Sequence, residues 1–379
     1  MILPMDVERA RRVKREIIRL CQSGLDSISL SLEAEHQIRS VIPFDLACWH
    51  NVDPATSMLT SVMGETAPTD PLLPILEYGS IDVNQYAGLA LTKTSVAGLR
   101  LTTADEPQSS RRYREVLNPM RVEDELTASF VVDSMFWGCA RFYRTGRWSP
   151  FDATEVAFVA SLAEALAEGF RMALLAPGLS AEEFAQGPGV LVLDDRGQLE
   201  SITPGAERWL QEITDVVPCE GGALPLPVYG VAARALAVAD DSEGSTALAR
   251  CRVRTRLGRW LILHGSRLRG EDRVAVIVEP APSADLAPLI VRVYGLTERE
   301  REVARCALQG QPTKQIALAL GLSPYTVTDH LKMIFEKVGV NSRTELAARI
   351  FFDQYYPRMG VGEPIPQGDS FWPVDVYRG

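Results

Sequence analysis

The sequence predicts a multidomain chain in which two α/β units precede an all-α unit. Three observations carry this. Segments with the two-residue alternation of half-buried strands lie before residue 280. Breaks rich in Pro and Gly fall at Ala176-Pro177-Gly178, Gly187-Pro188-Gly189 and Pro280 to Pro288. Beyond the last break, apolar residues recur three and four apart, the spacing of helices packed on one face.

A length of 379 residues accommodates two or three separate cores. The net charge of −10 argues against a protein that coats nucleic acid along its length, so any basic surface must be local. Only five lysines occur, and three of them (Lys314, Lys332, Lys337) lie between Leu296 and Ile350, where eight Lys/Arg face six Asp/Glu. The six cysteines form no C-x-x-C pair and the four histidines are dispersed, so no metal is expected and reduced thiols are. No apolar run of membrane-spanning length (about 18 residues) or signal-peptide core is present, which predicts a cytoplasmic protein without a membrane partner.

Residues 1–24 read as a basic amphipathic helix, with Val7, Ala10, Val13, Ile17, Leu20 and Cys21 on one side. Arg9, Arg11, Arg12, Lys14, Arg15 and Arg19 make it cationic, as the solvated face of a docked helix, a dimer helix or a membrane-surface contact. The first α/β unit is placed at 25–177. Ala47 to Val52 and Met58 to Met63 flank a turn at Asp53-Pro54-Ala55-Thr56. Leu126 to Val132 and Trp137 to Tyr143 flank a second at Asp133 to Phe136. Asp152 and Glu155 form a helix-start pair ahead of the apolar face Phe158, Leu162, Ala165, Leu166 and Phe170.

The second α/β unit is placed at 188–280. It opens with a strand, a turn at Asp194-Asp195-Arg196-Gly197, a strand and a short helix. A variable stretch rich in Pro and Gly follows, and then strands around Cys251 to Leu257, through Leu263, and at Val274 to Val278. A phosphorylation receiver is disfavoured, because no lysine that could contact a phosphoryl group occurs between Lys93 and Lys314. Residues 281–290 read as a flexible linker. Residues 357–379 read as a flexible tail, with docking of Phe371-Trp372 and Tyr377 as the alternative.

At 291–356 two short helical patterns meet at a tight break. Ile316, Ala317 and Leu320 share a side that stops at Gly321. Ser323-Pro324 then supplies a hydroxyl cap and a first-turn proline. Val327, Leu331, Ile334 and Val338, spaced four, three and four, form one stripe. Tyr325, Thr328, Asp329, Lys332 and Glu336 lie opposite it. Two helices joined by a short Gly-containing turn are the helix-turn-helix pattern, whose second helix enters the major groove.

This stretch resembles the DNA-binding domain of LuxR/NarL-type transcription regulators. It supplies Leu296-Thr297, Arg299-Glu300-Arg301-Glu302-Val303, Lys314, Ile316-Ala317, Ser323, Thr326-Val327, His330, Ile334, Lys337, Val340, Ser342-Arg343 and Leu346. Gln315, Ala304 and Val338 depart from the usual residues. The resemblance implies a four-helix domain in which Thr328, Asp329 and Lys332 read bases. Lys332 could donate to guanine O6/N7, and Asp329 could accept from a cytosine amino group. Thr313, Lys314, Tyr325, Thr326, His330, Lys337 and Arg343 are expected against phosphate oxygens. The last helix, from Arg343 to about Asp353, often carries the family's dimer contact and is expected to pack Leu346, Ala347 and Ile350.

Val41 to Thr60 and Phe136 to Arg171 resemble GAF domains of actinobacterial LuxR-type regulators, and 188–280 resembles a PAS fold. The expected fold class is therefore α/β GAF-like and PAS-like sensor domains followed by an all-α helix-turn-helix domain. GAF-like domains usually hold a small molecule over the sheet, which makes Trp49, Trp137, Arg141 and Tyr143 candidate ligand contacts. Trp49 and His50 alternate, so at most one of them faces a shared pocket. Neither a flavin-type cysteine motif nor a helical haem histidine is found, so no cofactor is implied.

The resulting expectation is a sequence-specific regulator of transcription, not an enzyme. Its expected partners are double-stranded DNA, a second copy of itself and an unidentified small molecule, with RNA polymerase a further candidate. A partner-binding scaffold and a GAF-like enzyme fused to a DNA-binding domain are the alternatives. No nucleophile–base pair favours the enzyme.

Overall fold

A computed structural model describes residues 6–64, 72–175, 187–213, 224–240, 249–269, 273–282, 285–286, 289 and 292–354. The break at Ala176-Pro177-Gly178 and the tail at 357–379 lie outside these. The chain divides into two units at Pro280, the first carrying two β-sheets and the second the C-terminal helices.

In the first unit, α1 (Val7–Cys21) starts on Asp6, whose carboxylate accepts the Glu8 and Arg9 amides at 3.0 and 3.2 Å. Ala10, Val13, Ile17 and Cys21 are buried, against α2 (Ser27–Arg39) and a later helix, α7 (Ala163–Ala173). Val7 is 57% exposed, so the apolar stripe is narrower than the spacing predicts.

The first sheet contains β1 (Leu46–Asp53), β2 (Met58–Leu59), β3 (Val96–Gly98), β4 (Val122–Val132) and β5 (Met135–Thr145). Its order is β2-β1-β5-β4-β3, antiparallel throughout. The turn between β4 and β5 is shorter than predicted. Asp133 and Ser134 alone make it, both left-handed at φ 51° and 58°, as a two-residue type I′ hairpin turn requires.

Alternation along the strands gives the sheet two chemically different faces. Trp49, Phe130 and Phe142 face Phe170 of α7, with Trp49 stacked on Phe170 at 6.3 Å between ring centroids. Cys48, Arg141 and Tyr143 face the other way, toward Tyr86. Between β2 and β4 run α3 (Leu72–Gly79), α4 (Tyr86–Ala90), α5 (Leu99–Thr102) and a π-helical turn at Tyr113–Leu117. Beyond β5, α6 (Ala153–Ala160) begins with the predicted Asp152/Glu155 capping box. The buried Glu155 carboxylate also receives the Arg144 guanidinium at 2.6 and 3.0 Å.

The second sheet contains β6 (Gly189–Leu193), β7 (Leu199–Ile202), β8 (Arg250–Arg254), β9 (Trp260–Arg267) and β10 (Val274–Pro280). Its order is β7-β6-β10-β9-β8. Counted within each sheet, both therefore read 2-1-5-4-3. The turn at Asp194 forms because its carboxylate accepts the Arg196 and Gln198 amides at 2.9 and 2.7 Å. A short helix, α8 (Pro204–Glu212), follows β7.

The stretch expected to be variable contains a 15-residue helix, α9 (Leu226–Asp240). Ala, Val and Leu lie on all its sides, so no amphipathic period announces it. Such a helix is stable where it is enclosed. It packs on β9 and β10 and also on α3 and β2 of the first sheet. Gly230 permits the approach to α3, since a Cβ there would sit 3.0 Å from the Tyr78 ring.

The two sheets thus share a core that runs from Met58 and Tyr78 to Val276. Asp53, at the end of β1, is buried and accepts the Arg252 backbone amide at 2.9 Å and Nε at 3.0 Å. The Arg252 guanidinium closes on its second oxygen.

The second unit holds α10 (Glu298–Leu308), α11 (Thr313–Leu320), α12 (Pro324–Val338) and α13 (Arg343–Gln354). Within the segment expected to be a linker, Asp285, Leu286 and Leu289 are helical, and both leucines are buried. Pro282 and Pro288 interrupt the apolar period there, so the spacing alone does not announce a helix. Among the described residues, no helix is long and apolar enough to cross a membrane, and no group of His, Cys, Asp and Glu could hold a metal ion.

Asp53→Ala is expected to lower the stability of the first unit by about 3–5 kcal/mol, since it removes one member of a buried ion pair. Denaturant unfolding of the full chain checks this. A loss below about 0.5 kcal/mol, the range of an ordinary surface change, would mean that the pair does not hold the sheets together.

Candidate nucleic-acid interface

The candidate surface is assembled from the buried side outward. Val327, Leu331, Ile334 and Val338 of α12 are all buried, as their spacing demands. They lie against α10 and α11. Gly321 adopts the left-handed conformation at φ 64°, which ends α11 without steric cost. Ser323 then caps α12, accepting the Thr326 amide at 3.0 Å, and Pro324 opens the first turn.

This packing leaves Tyr325, Thr328, Asp329 and Lys332 exposed on the opposite side of α12. Asp329 and Lys332 meet no hydrogen-bond or ion-pair partner among the described residues, whereas the Thr328 hydroxyl donates back to the Pro324 carbonyl at 3.0 Å. Lys314 projects from the first turn of α11 and is equally exposed and unpaired. Tyr325 is 77% exposed at the start of α12. His330 is half-buried. These residues form a polar row with one anion and two cations, suited to a groove with mixed donors and acceptors.

Other residues expected at phosphate are engaged inside the domain. Arg343 donates to the Gln311 carbonyl at 2.7 Å and to the Thr313 hydroxyl at 2.8 Å, bracing the start of α11 from α13. The Thr326 hydroxyl is paired with Ser323 at 2.8 Å. Lys337 donates to Glu300 at 2.7 Å and to the Gly295 carbonyl at 3.1 Å. Each makes a bond within the domain while remaining partly exposed, a pairing the linear spacing does not encode. In α13, Leu346 is buried but Ala347 is exposed, because adjacent helical residues diverge by about 100°.

Glu300 is the centre of this brace. It is the third residue of a capping box with Thr297, accepting the Thr297 amide at 2.7 Å while its own amide reaches the Thr297 hydroxyl. Burial works against its charge, yet the Lys337 and Thr297 hydrogen bonds prevail and hold the carboxyl below its ordinary range.

The candidate ligand contacts in the first unit divide between the sheet faces. Trp49 is fully buried under α7, and its indole donates to Glu35 at 3.1 Å. It therefore does not join Arg141 and Tyr143. Trp137 sits where the β4–β5 register shifts.

Arg141 belongs to a buried charge network that the sequence reading did not find. It pairs with Glu77 at 2.8 Å and lies over the Tyr86 ring. Arg112 pairs with Glu125 at 2.7 Å, and its amide reaches Asp82. Glu125 is fully buried. Burial opposes its charge, but Arg112 and then Arg141 hold its carboxyl below the usual range. The missed signal was the acidic run Glu123-Asp124-Glu125 at the start of β4, which continues into the apolar positions Leu126, Ala128 and Phe130. Arg141 Nε, Asn84 Nδ2 and Trp137 Nε1 are buried donors without a hydrogen-bond acceptor among the described residues.

The family model for bacterial regulatory proteins of the luxR family matches residues 295–350. The chain is 38% identical over 55 residues to the spore germination protein GerE of Bacillus subtilis (strain 168), covering 14% of this chain and 74% of GerE. It is 52% identical over 56 residues to the transcriptional regulatory protein UhpA of Escherichia coli (strain K12), covering 15% of this chain and 29% of UhpA. The match thus spans less than a third of UhpA. The chain belongs to the luxR family of bacterial regulatory proteins.

Among solved structures, a phycoerythrobilin-bound GAF domain from a cyanobacterial phytochrome is similar at TM-score 0.32 and 16% identity, over 44% of this chain and 96% of that one. Escherichia coli SdiA is similar at TM-score 0.30 and 13% identity, over 92% of this chain and 97% of that one.

Lys337→Met is expected to destabilise the C-terminal unit by about 1–3 kcal/mol, because it leaves a buried carboxylate without its cation. Since the Glu300 pKa is lowered on folding, its contribution is complete above the ordinary value of about 4.3 and is lost as pH falls through the lower folded value. Acid unfolding followed by circular dichroism should show a steeper loss for the wild type than for Lys337→Met. Parallel curves would remove the pair from the stability of this unit.

Proposed function

We propose that this protein is a sequence-specific DNA-binding regulator of transcription that acts as a homodimer in the cytoplasm and has no enzymatic activity of its own. The observation that carries this is the row Thr328, Asp329 and Lys332, exposed on a helix whose opposite side is fully used in packing. Two such helices related by two-fold symmetry would engage half-sites about one helical turn apart. In each, Lys332 donates to guanine and Asp329 selects for a cytosine amino group while repelling a wrongly placed phosphate. Lys314 and Tyr325 contact the backbone and fix the register.

The first unit is the sensing part. Asn84 Nδ2 and Trp137 Nε1 support this, because buried donors lacking acceptors among the described residues are costly unless something supplies one. A small molecule with hydrogen-bond acceptors is the occupant we assign. Its binding shifts the population of dimer arrangements competent for paired half-sites.

Binding of genomic fragments by the full-length protein at one fixed salt concentration tests the reading. Fragments with paired half-sites should be enriched, and Thr328→Ala/Lys332→Ala should abolish the enrichment. Lys332→Ala alone should cost about 1–3 kcal/mol on the selected duplex and relax preference at one base position. Equal losses on selected and random duplexes would remove Lys332 from base reading.

A further inference from the structure

We propose that the exposed face of α1 is a second, sequence-independent DNA contact, which grips phosphates flanking the site held by the helix-turn-helix. The proposal rests on the DNA-binding reading above and extends it to the sensor unit. Arg9, Arg12 and Arg15 are exposed and lie three residues apart, a cationic stripe about 9 Å long at the helical rise of 1.5 Å per residue. Among the described residues, Arg11 pairs with Glu8 and Arg19 with Glu16, whereas Arg9, Arg12 and Arg15 meet no carboxylate. This concentration of unpaired positive charge stands on a chain whose net charge is −10.

Three features select duplex DNA as the occupant. The apolar stripe Ala10, Val13, Ile17 and Cys21 is buried against neighbouring helices. Of that side only Val7 is exposed, too little apolar surface to enter a lipid interface, which amphipathic membrane helices require. A two-fold pairing of this face with its own copy would oppose like charges. By contrast, a polyanion already held by the same chain is presented at high effective concentration, so even a weak electrostatic contact adds to affinity.

The test compares wild type with Arg9→Ala/Arg12→Ala/Arg15→Ala, alanine being chosen because it preserves the helix. Two duplexes are used, one confined to the paired half-sites and one carrying flanks. The dependence of log K on log salt is measured for the full-length protein on each. If three phosphates are contacted, the variant should lose about 2.7 from the slope on the flanked duplex, at about 0.9 per contact, and nothing on the short one. Equal slopes for wild type and variant on the flanked duplex would overturn the proposal, as would an equal loss on both duplexes.

Lys332→Ala serves as the control, weakening specific binding to both duplexes while keeping the flank-dependent slope. If the wild type binds DNA without sequence preference, the regulator reading fails, while the slopes of wild type and variant on one long random duplex still decide for α1. Retention of wild type but not variant on phosphatidylglycerol vesicles, with DNA slopes unchanged, would assign the face to a membrane instead.

Discussion

A guanidinium taken out of water needs a carboxylate beside it, and the first unit meets this requirement at three junctions between its described elements. Arg144 and Glu155 tie a strand to the helix that follows it. Arg112 and Arg141 converge on Glu125 and Glu77 where the central strands meet the segments crossing over them. Arg252 and Asp53 join one sheet to the other. Such pairs add little net stability relative to apolar contacts, but breaking one strands a charge in the interior. They therefore act on register and docking. A strand shifted by one residue would place Glu125 on the aromatic face against Phe170, with no cation to receive it.

The C-terminal unit applies the same chemistry with the opposite emphasis. There a carboxylate and an ammonium close the domain, while two lysines stand exposed at its surface. Lys337 and Arg343 hold helices together, while Lys314 and Lys332 project from the surface. Lysine thus either closes the domain or stands exposed at its surface, according to whether an acceptor lies within reach.

This distinction marks what the sequence could and could not reveal. Local rules were readable. The stripe from Val327 to Val338, the Ser323-Pro324 cap, the Asp152/Glu155 box and the Asp194 turn each depend on residues within a few positions of one another, and each is present. Partnerships between distant residues were not. Glu300 and Lys337 lie on different helices, and nothing in their spacing says that the lysine turns inward. Trp49 was grouped with Arg141 on residue type, but strand alternation puts it on the opposite face. The helix Leu226–Asp240 was hidden for the converse reason. Its burial on all sides erases the period by which helices are usually recognised, so it is legible only from the two surfaces it covers.

That helix has a consequence for how the protein comes into being. Met58 and Tyr78 belong to the first sheet's surroundings, yet they are covered by Leu226–Asp240. A chain emerging from the ribosome completes the strands of its first sheet well before this cover exists, and nascent segments fold in order of synthesis. Until the second sheet is made, the residues that cover Met58 and Tyr78 and the guanidinium that answers Asp53 are absent from the chain. Synthesis that stalls within the intervening residues would expose this half-finished surface to aggregation or chaperone capture. The two sheets, repeated in strand order, complete one core between them.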